Sequence, residues 1–220
     1  MAGLVPPLRV QSANRSPAVK MIITIASLKG GVGKTTTAIN LAYYFATRRP
    51  KRVTILVDGD PNRTAIDWAE SSDYSLPFSV LSSDDDLPPH DVVIVDTAAR
   101  TTDADLAELV ESSDLVLIPT KPDIFDVRAA IAFADTLKAN PQKYRILLTG
   151  LPARGKKLYT EAREMFDDAD LMTLDGGIRH LAVYREAAYE GAPVAMFSDT
   201  GKKAFKDYAA IGKQIQQGWE

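Results

Sequence analysis

Short apolar runs alternate with amphipathic stretches along most of the chain, and this alternation predicts its elements. Residues 21–26 form an apolar, β-branched run followed by a glycine-rich turn. Residues 34–47 then place Ala38, Leu41, Ala42 and Phe45 at helical spacing. A second buried strand is predicted over 53–57, a polar helix around Ile66, Trp68 and Ala69, and a short strand over 78–81. After an acidic, proline-containing loop at 82–90 come a strand over 92–95 and a helix marked by Leu106, Leu109 and Val110. A strand over 115–118, a helix over 124–137 stopped near Pro141, and a strand over 146–148 follow. Residues 200–217 read as one final amphipathic helix, with Phe205, Tyr208, Ile211 and Ile215 on one face. The strands are apolar throughout rather than alternating, so both faces of their sheet are predicted to be covered. The expected architecture is a single α/β domain over 21–220, a doubly wound, mostly parallel sheet flanked by helices and joined by right-handed crossovers. Residues 1–20 carry Pro6, Pro7 and Pro17, show no periodicity and lack an apolar signal-peptide core. They are predicted to be a flexible tail.

Composition narrows the chemistry. A chain of 220 residues is long enough to bury roughly 70% of its unfolded surface. Cysteine is absent, which excludes disulfide scaffolds, thiolate zinc sites, cysteine-ligated clusters and cysteine nucleophiles. The two histidines, His90 and His180, are far apart in the chain, which argues against a histidine metal site or a Ser-His-Asp triad. No apolar run reaches the ~18 residues of a membrane span. The net charge of −3 is unevenly spread: residues 1–60 carry +7, residues 61–140 carry −11. A uniformly basic nucleic-acid binder is thereby excluded, whereas a local basic patch is not.

The turn after the first strand reads Lys29-Gly30-Gly31-Val32-Gly33-Lys34-Thr35-Thr36. The common G-x-x-x-x-G-K-[ST] pattern fails because position 28 is leucine. What remains still stands between a strand and a helix, the context a phosphate loop needs. Glycines let the backbone turn with positive φ and approach an anion closely. Their amides, with those of Val32, Lys34, Thr35 and Thr36, converge at a helix N-terminus. Lys34 would neutralise the β- and γ-phosphates, and the Thr35 hydroxyl would face Mg²⁺.

The extra Lys29 carries a resemblance: the loop looks like the deviant Walker A motif of the ParA/MinD family of P-loop ATPases. Two further segments agree. Ile55-Leu56-Val57-Asp58-Gly59-Asp60-Pro61-Asn62 resembles the family's Walker A′ motif, and Val92-Val93-Ile94-Val95-Asp96-Thr97-Ala98 resembles its Walker B strand. The resemblance runs from about residue 21 to the C-terminus and is strongest to the small, ParF-like partition ATPases. Asp58 and Asp60 end one strand that opens on the ligand crevice. The resemblance gives Asp58 a role in the metal shell and Asp60 a place in a switch segment that orients the attacking water. Asp96 would hold Mg²⁺ through water. Lys29 would reach the partner's phosphates in an ATP-sandwich homodimer and stabilise charge there in trans. Lys29, Lys34 and Asp60 are thus the expected catalytic residues, and Thr35, Asp58 and Asp96 the expected metal residues.

The resemblance also implies a cytoplasmic, nucleoid-associated protein. Its ATP dimer would bind DNA without sequence preference and be triggered to hydrolyse ATP by a ParB-like adaptor carrying plasmid, chromosome or another cargo. Arg179, Arg185, Lys203 and Lys206 fall near the family's DNA-contacting positions. Lys202 and Lys213 add charge nearby, and Arg154, Lys156 and Lys157 form a second basic cluster. Arg100 senses nucleotide, contacts the partner, or pairs with Asp103 or Asp105. Asp126 either matches an acidic family position or is a helix-start carboxylate, and Asp84, Asp85 and Asp86 read as a solvated loop. Two rival readings are a membrane-positioning relative similar to MinD and a biosynthetic P-loop enzyme of the dethiobiotin-synthetase sort. The first would need a basic amphipathic C-terminal helix, whereas 215–220 has one aromatic, Trp219, and no basic face. The second would not need Lys29. Cluster-carrier relatives require cysteines and are excluded.

Overall fold

Six apolar runs become six strands. In a computed structural model, which describes residues 21–98 and 103–218, these are β1 (Met21–Ile25), β2 (Thr54–Gly59), β3 (Ser79–Ser82), β4 (Val92–Thr97), β5 (Leu115–Thr120) and β6 (Tyr144–Leu148). The segment 1–20, Arg100 and Trp219 lie outside the described residues. The strands pair in the order β3-β2-β4-β1-β5-β6, parallel throughout. Helices α1 (Lys34–Thr47), α2 (Thr64–Glu70), α3 (Asp103–Ser112) and α4 (Ile124–Asp135) form within the connections between these strands. Such crossovers put every strand's C-terminal end on the same edge of the sheet, and ligands of doubly wound folds bind outside that edge.

Both faces of the sheet are covered, as the unbroken apolar strands require. Ile23, Ile25, Leu56, Ile94 and Leu117 join a core with Leu41 and Phe45 of α1. Val116, Ile118, Ile146 and Leu148 pack with Val127, Ala130 and Phe133 of α4. The Asp123 side chain caps α4 by accepting hydrogen bonds from the Phe125 and Asp126 amides, both at 3.1 Å.

The C-terminal third departs most from the expectation. It contains α5 (Lys156–Asp168), α6 (Ala182–Tyr189) and α7 (Val194–Phe197), none of which the strand–helix alternation announces. For α5 a signal exists: Tyr159, Ala162 and Phe166 recur at helical spacing, and the last two are buried. The single helix expected over 200–217 is two, α8 (Asp199–Ala204) and α9 (Lys206–Gln217), meeting at Phe205. Tyr208, Ile211 and Ile215 do share the buried face of α9. Gly201 in α8 explains how closely this region packs: a Cβ there would stand 2.0 Å from the Val194 carbonyl oxygen. Gly201→Ala is expected to lower stability by about 1–3 kcal/mol, despite the roughly 1 kcal/mol that alanine gains over glycine in a helix. An unchanged urea midpoint for this variant would refute the close α7–α8 contact.

Candidate functional site

The loop between β1 and α1 forms an open cradle. Gly31 and Gly33 hold φ of 72° and 91°, in the left-handed region that an L side chain rarely adopts. Gly33 is the N-cap of α1 and offers no side-chain cap, so the first amides of this helix remain for an anion. The Lys34 side chain folds back over the loop and its Nζ donates to the Lys29 carbonyl at 3.3 Å. Burial pushes the Lys34 ammonium below its usual range, while Asp96 and Asp60 oppose that shift. Thr35 and Thr36 follow on the first turn, half-buried.

Asp58 and Asp96 stand side by side, paired in register on β2 and β4. Their surroundings differ sharply. The Asp58 carboxylate accepts from the Asp60 amide at 3.0 Å and from the Ala65 and Ile66 amides at 2.8 and 2.9 Å. It therefore caps α2, whose own N-cap Arg63 supplies no side-chain cap. The expected metal-shell role of Asp58 meets a carboxylate already holding three amides. Asp60 lies just past the end of β2, half-buried, and its Oδ1 accepts from the Asn62 amide and side chain at 2.9 and 2.8 Å.

Asp96 is wholly buried, and neither carboxylate oxygen has a well-formed hydrogen bond among the described residues. Burial raises its pKa to about 7, with Asp58 and Asp60 adding to the rise and the nearby Thr35 hydroxyl and Lys34 ammonium opposing it. A buried carboxylate without a well-formed hydrogen bond, beside a glycine-rich loop and a threonine hydroxyl, fits a hydrated divalent cation. Among the described residues no group of three acidic, histidine or cysteine side chains could hold a metal unaided. That suits Mg²⁺, which is commonly held by one or two carboxylates together with substrate phosphates and water.

Lys29 is not free in this arrangement. Its Nζ lies 3.7 Å from Asp126 Oδ1, with the lysine side chain 45% and the aspartate 14% exposed. Burial, first, and Asp123 push the Asp126 carboxyl upward, while Lys29 and Lys121 oppose this. Of the two readings of Asp126, the structure adds a third feature, a partner for Lys29 within the same chain.

The expected DNA residues divide. Arg179 is held by Asp207, its Nε lying 3.1 and 2.9 Å from the two carboxylate oxygens and its backbone amide donating at 3.1 Å. Arg185, Lys203 and Lys206 are exposed and show no ion pair among the described residues. Tyr184 of α6 donates to the Ala204 carbonyl of α8 at 2.9 Å, which links the two helices that carry Arg185 and Lys203. Lys202 is paired with Asp199 and Lys157 with Glu161.

A parallel doubly wound sheet with a glycine loop, a lysine folded over it and a buried aspartate at the C-terminal edge of the neighbouring strand defines a P-loop nucleotide-binding protein. Residues 23–194 match the family described as the CobQ/CobB/MinD/ParA nucleotide binding domain, and the chain belongs to that family. It is 29% identical over 208 residues to the Maintenance of carboxysome distribution protein A of Gloeobacter kilaueensis, across 90% of this chain and 95% of that protein. It is 27% identical to the protein of the same description from Halothiobacillus neapolitanus, across 88% and 95%. Two solved structures share the fold: a Cyanothece McdA–ATP complex, with a TM-score of 0.67, 16% identity and coverage of 92% of this chain and 97% of that one, and the MinD cell division protein of Aquifex aeolicus, with a TM-score of 0.67, 16% identity and coverage of 90% and 97%.

Proposed function

We propose that the chain is a ParA-type, Mg²⁺-dependent ATPase that closes as an ATP-sandwich homodimer, binds DNA without sequence preference and positions a cargo through an adaptor protein. The observation that carries this reading is the buried Asp96 carboxylate, without a well-formed hydrogen bond among the described residues, next to Lys34 and Thr35. Bound Mg²⁺ would neutralise charge on the β- and γ-phosphates. Lys34 would exchange the Lys29 carbonyl for phosphate oxygens, and the loop amides would cradle the same chain of phosphates. Asp60, at the head of the turn that leads into α2, would orient the attacking water. Lys29 would leave Asp126 for the partner's phosphates. Partly exposed pairs of this kind contribute about 0–1 kcal/mol, so the exchange is easy. The two near-full-length relatives named for carboxysome distribution favour a proteinaceous body over a DNA molecule as the cargo.

The test is DNA binding with and without ATP. Dimer closure doubles the number of basic residues presented to a polyanion, and each phosphate contact contributes about 0.9 to the slope of log affinity against log salt. Binding is expected only with ATP and to weaken steeply with salt. Lys203→Glu with Lys206→Glu should abolish it on every DNA sequence while ATP-driven dimerisation persists. Equal DNA retardation by this double variant would move the patch to Arg154, Lys156 and Lys157, and equal binding by wild type without nucleotide would end the ATP-gated reading.

A further inference from the structure

The phosphate loop is fastened from outside by a residue that none of its motifs contains. Thr149 follows the last residue of β6. Its backbone amide donates to the Thr120 carbonyl at 2.9 Å, so the end of the sheet sets its position. Its hydroxyl donates to the Val32 carbonyl at 2.8 Å, across 117 positions of sequence. Both residues are buried, Thr149 at 5% and Val32 at 2% exposure. Two further bonds at the loop are local, from the Lys29 amide to Ser27 Oγ and from Lys34 Nζ to the Lys29 carbonyl.

The Val32 carbonyl belongs to the same peptide unit as the Gly33 amide. That unit is planar and trans, so its carbonyl and its N–H point in opposite directions. Drawing the carbonyl onto Thr149 therefore aims the Gly33 N–H the other way, and Gly33, at one hinge of this plane, leaves it easier to rotate than any other residue would. We propose that Thr149 is a positioning residue for the phosphate loop: its hydroxyl holds the Val32–Gly33 peptide so that the Gly33 N–H faces a bound phosphate. The proposal rests on reading residues 30–36 as a phosphate loop. It adds that the end of β6, and not the loop alone, orients the cradle before nucleotide arrives.

Thr149→Val keeps the shape and removes the donor. It is expected to raise the Kd for both ATP and ADP about fivefold to tenfold, the loss of one buried hydrogen bond with its acceptor left unpaired. Affinity for adenosine, which has no phosphate, should not change. Thr149→Ser restores the hydroxyl and should return both nucleotides to within about twofold of wild type. Thr24→Val is the control, since Thr24 shares a buried hydroxyl contact of 2.6 Å with Ser113 away from the loop. It should lower the thermal midpoint without changing either Kd. Wild-type nucleotide affinity in Thr149→Val, or equal weakening in Thr24→Val, overturns the proposal. Should Thr149→Val not fold, Thr149→Ala against Thr149→Ser makes the same comparison, and equal affinities there overturn it too. Failure of the wild-type chain to bind ATP would overturn the phosphate-loop reading itself.

Discussion

Lys34→Ala should lose ATP binding by a hundredfold or more, while the nucleotide-free fold remains intact. Two separate effects support this. The ammonium sits at the mouth of the loop, where it supplies the main countercharge to the phosphates, and hydrogen bonds to charged groups contribute about 1.5–3 kcal/mol each. Two such bonds correspond to roughly a hundredfold or more in affinity. In the absence of nucleotide, by contrast, Lys34 makes one long bond to the Lys29 carbonyl and is penalised by burial. Its removal should therefore leave the thermal midpoint unchanged or slightly raised. Titration with a fluorescent ATP analogue separates the outcomes. An affinity within about tenfold of wild type, or about 1.4 kcal/mol, would show that residues 29–36 do not cradle phosphate.

Asp96→Asn is expected to act in opposite directions on stability and on catalysis. The Asp96 pKa lies near 7 in the folded chain, against an ordinary value of 3.8. A carboxyl whose folded pKa is raised binds more protons folded than unfolded between those two values. Stability therefore falls as pH rises from about 4 to about 7, and above that the folded chain carries an ionised, buried carboxylate. The ceiling on this penalty is about 4 kcal/mol, from which the asparagine amide's own unpaired groups subtract about 1–3 kcal/mol. The nucleotide-free variant should thus be more stable than wild type at pH 8, and that advantage should vanish near pH 4. Its Mg²⁺-dependent ATP hydrolysis should fall at least a hundredfold, because the amide cannot offer the charge that a hydrated cation requires. In wild type, Mg²⁺-dependent ATP binding should tighten between pH 6 and pH 8 as the carboxyl ionises. Lower stability for Asp96→Asn at pH 8, or undiminished turnover, would contradict the account of Asp96 as a carboxylate kept unpaired for a ligand.

Much of the site is legible in the sequence because its parts are contiguous. The lysine, glycines and threonines of 29–36 need only a strand before them and a helix after them. The apolar runs likewise report a sheet covered on both faces, since burial depends on each strand's own side chains. Asp58, Asp60 and Asp96 can be placed at strand ends by the same reasoning. Their division of labour cannot, because it depends on which amides the fold brings near. Asp58 meets the Ala65 and Ile66 amides because α2 starts directly over the end of β2. Asp96, on β4, lies between two inner strands, β2 and β1, and among the described residues it meets no amide. Identical side chains thus become a helix cap and an unpaired carboxylate.

By itself, then, the chain's pattern of residues determined the α/β class, the parallel sheet, the glycine-rich turn between strand and helix, and the acidic strand ends. These follow from local periodicity and from covalent neighbours. Only the tertiary structure decided the partners of the charged and hydroxyl groups: Lys29 with Asp126, Thr149 with Val32, and Arg179 with Asp207. The first two pairs join residues from different strand–helix units, so they depend on strand order and on where each crossover ends, whereas the third joins the segment before α6 to α9, beyond the last strand. The short helices α6, α7 and α8 belong to the same category. Their packing rests on close approaches such as Gly201 against the Val194 carbonyl, which exist only once those helices have come together.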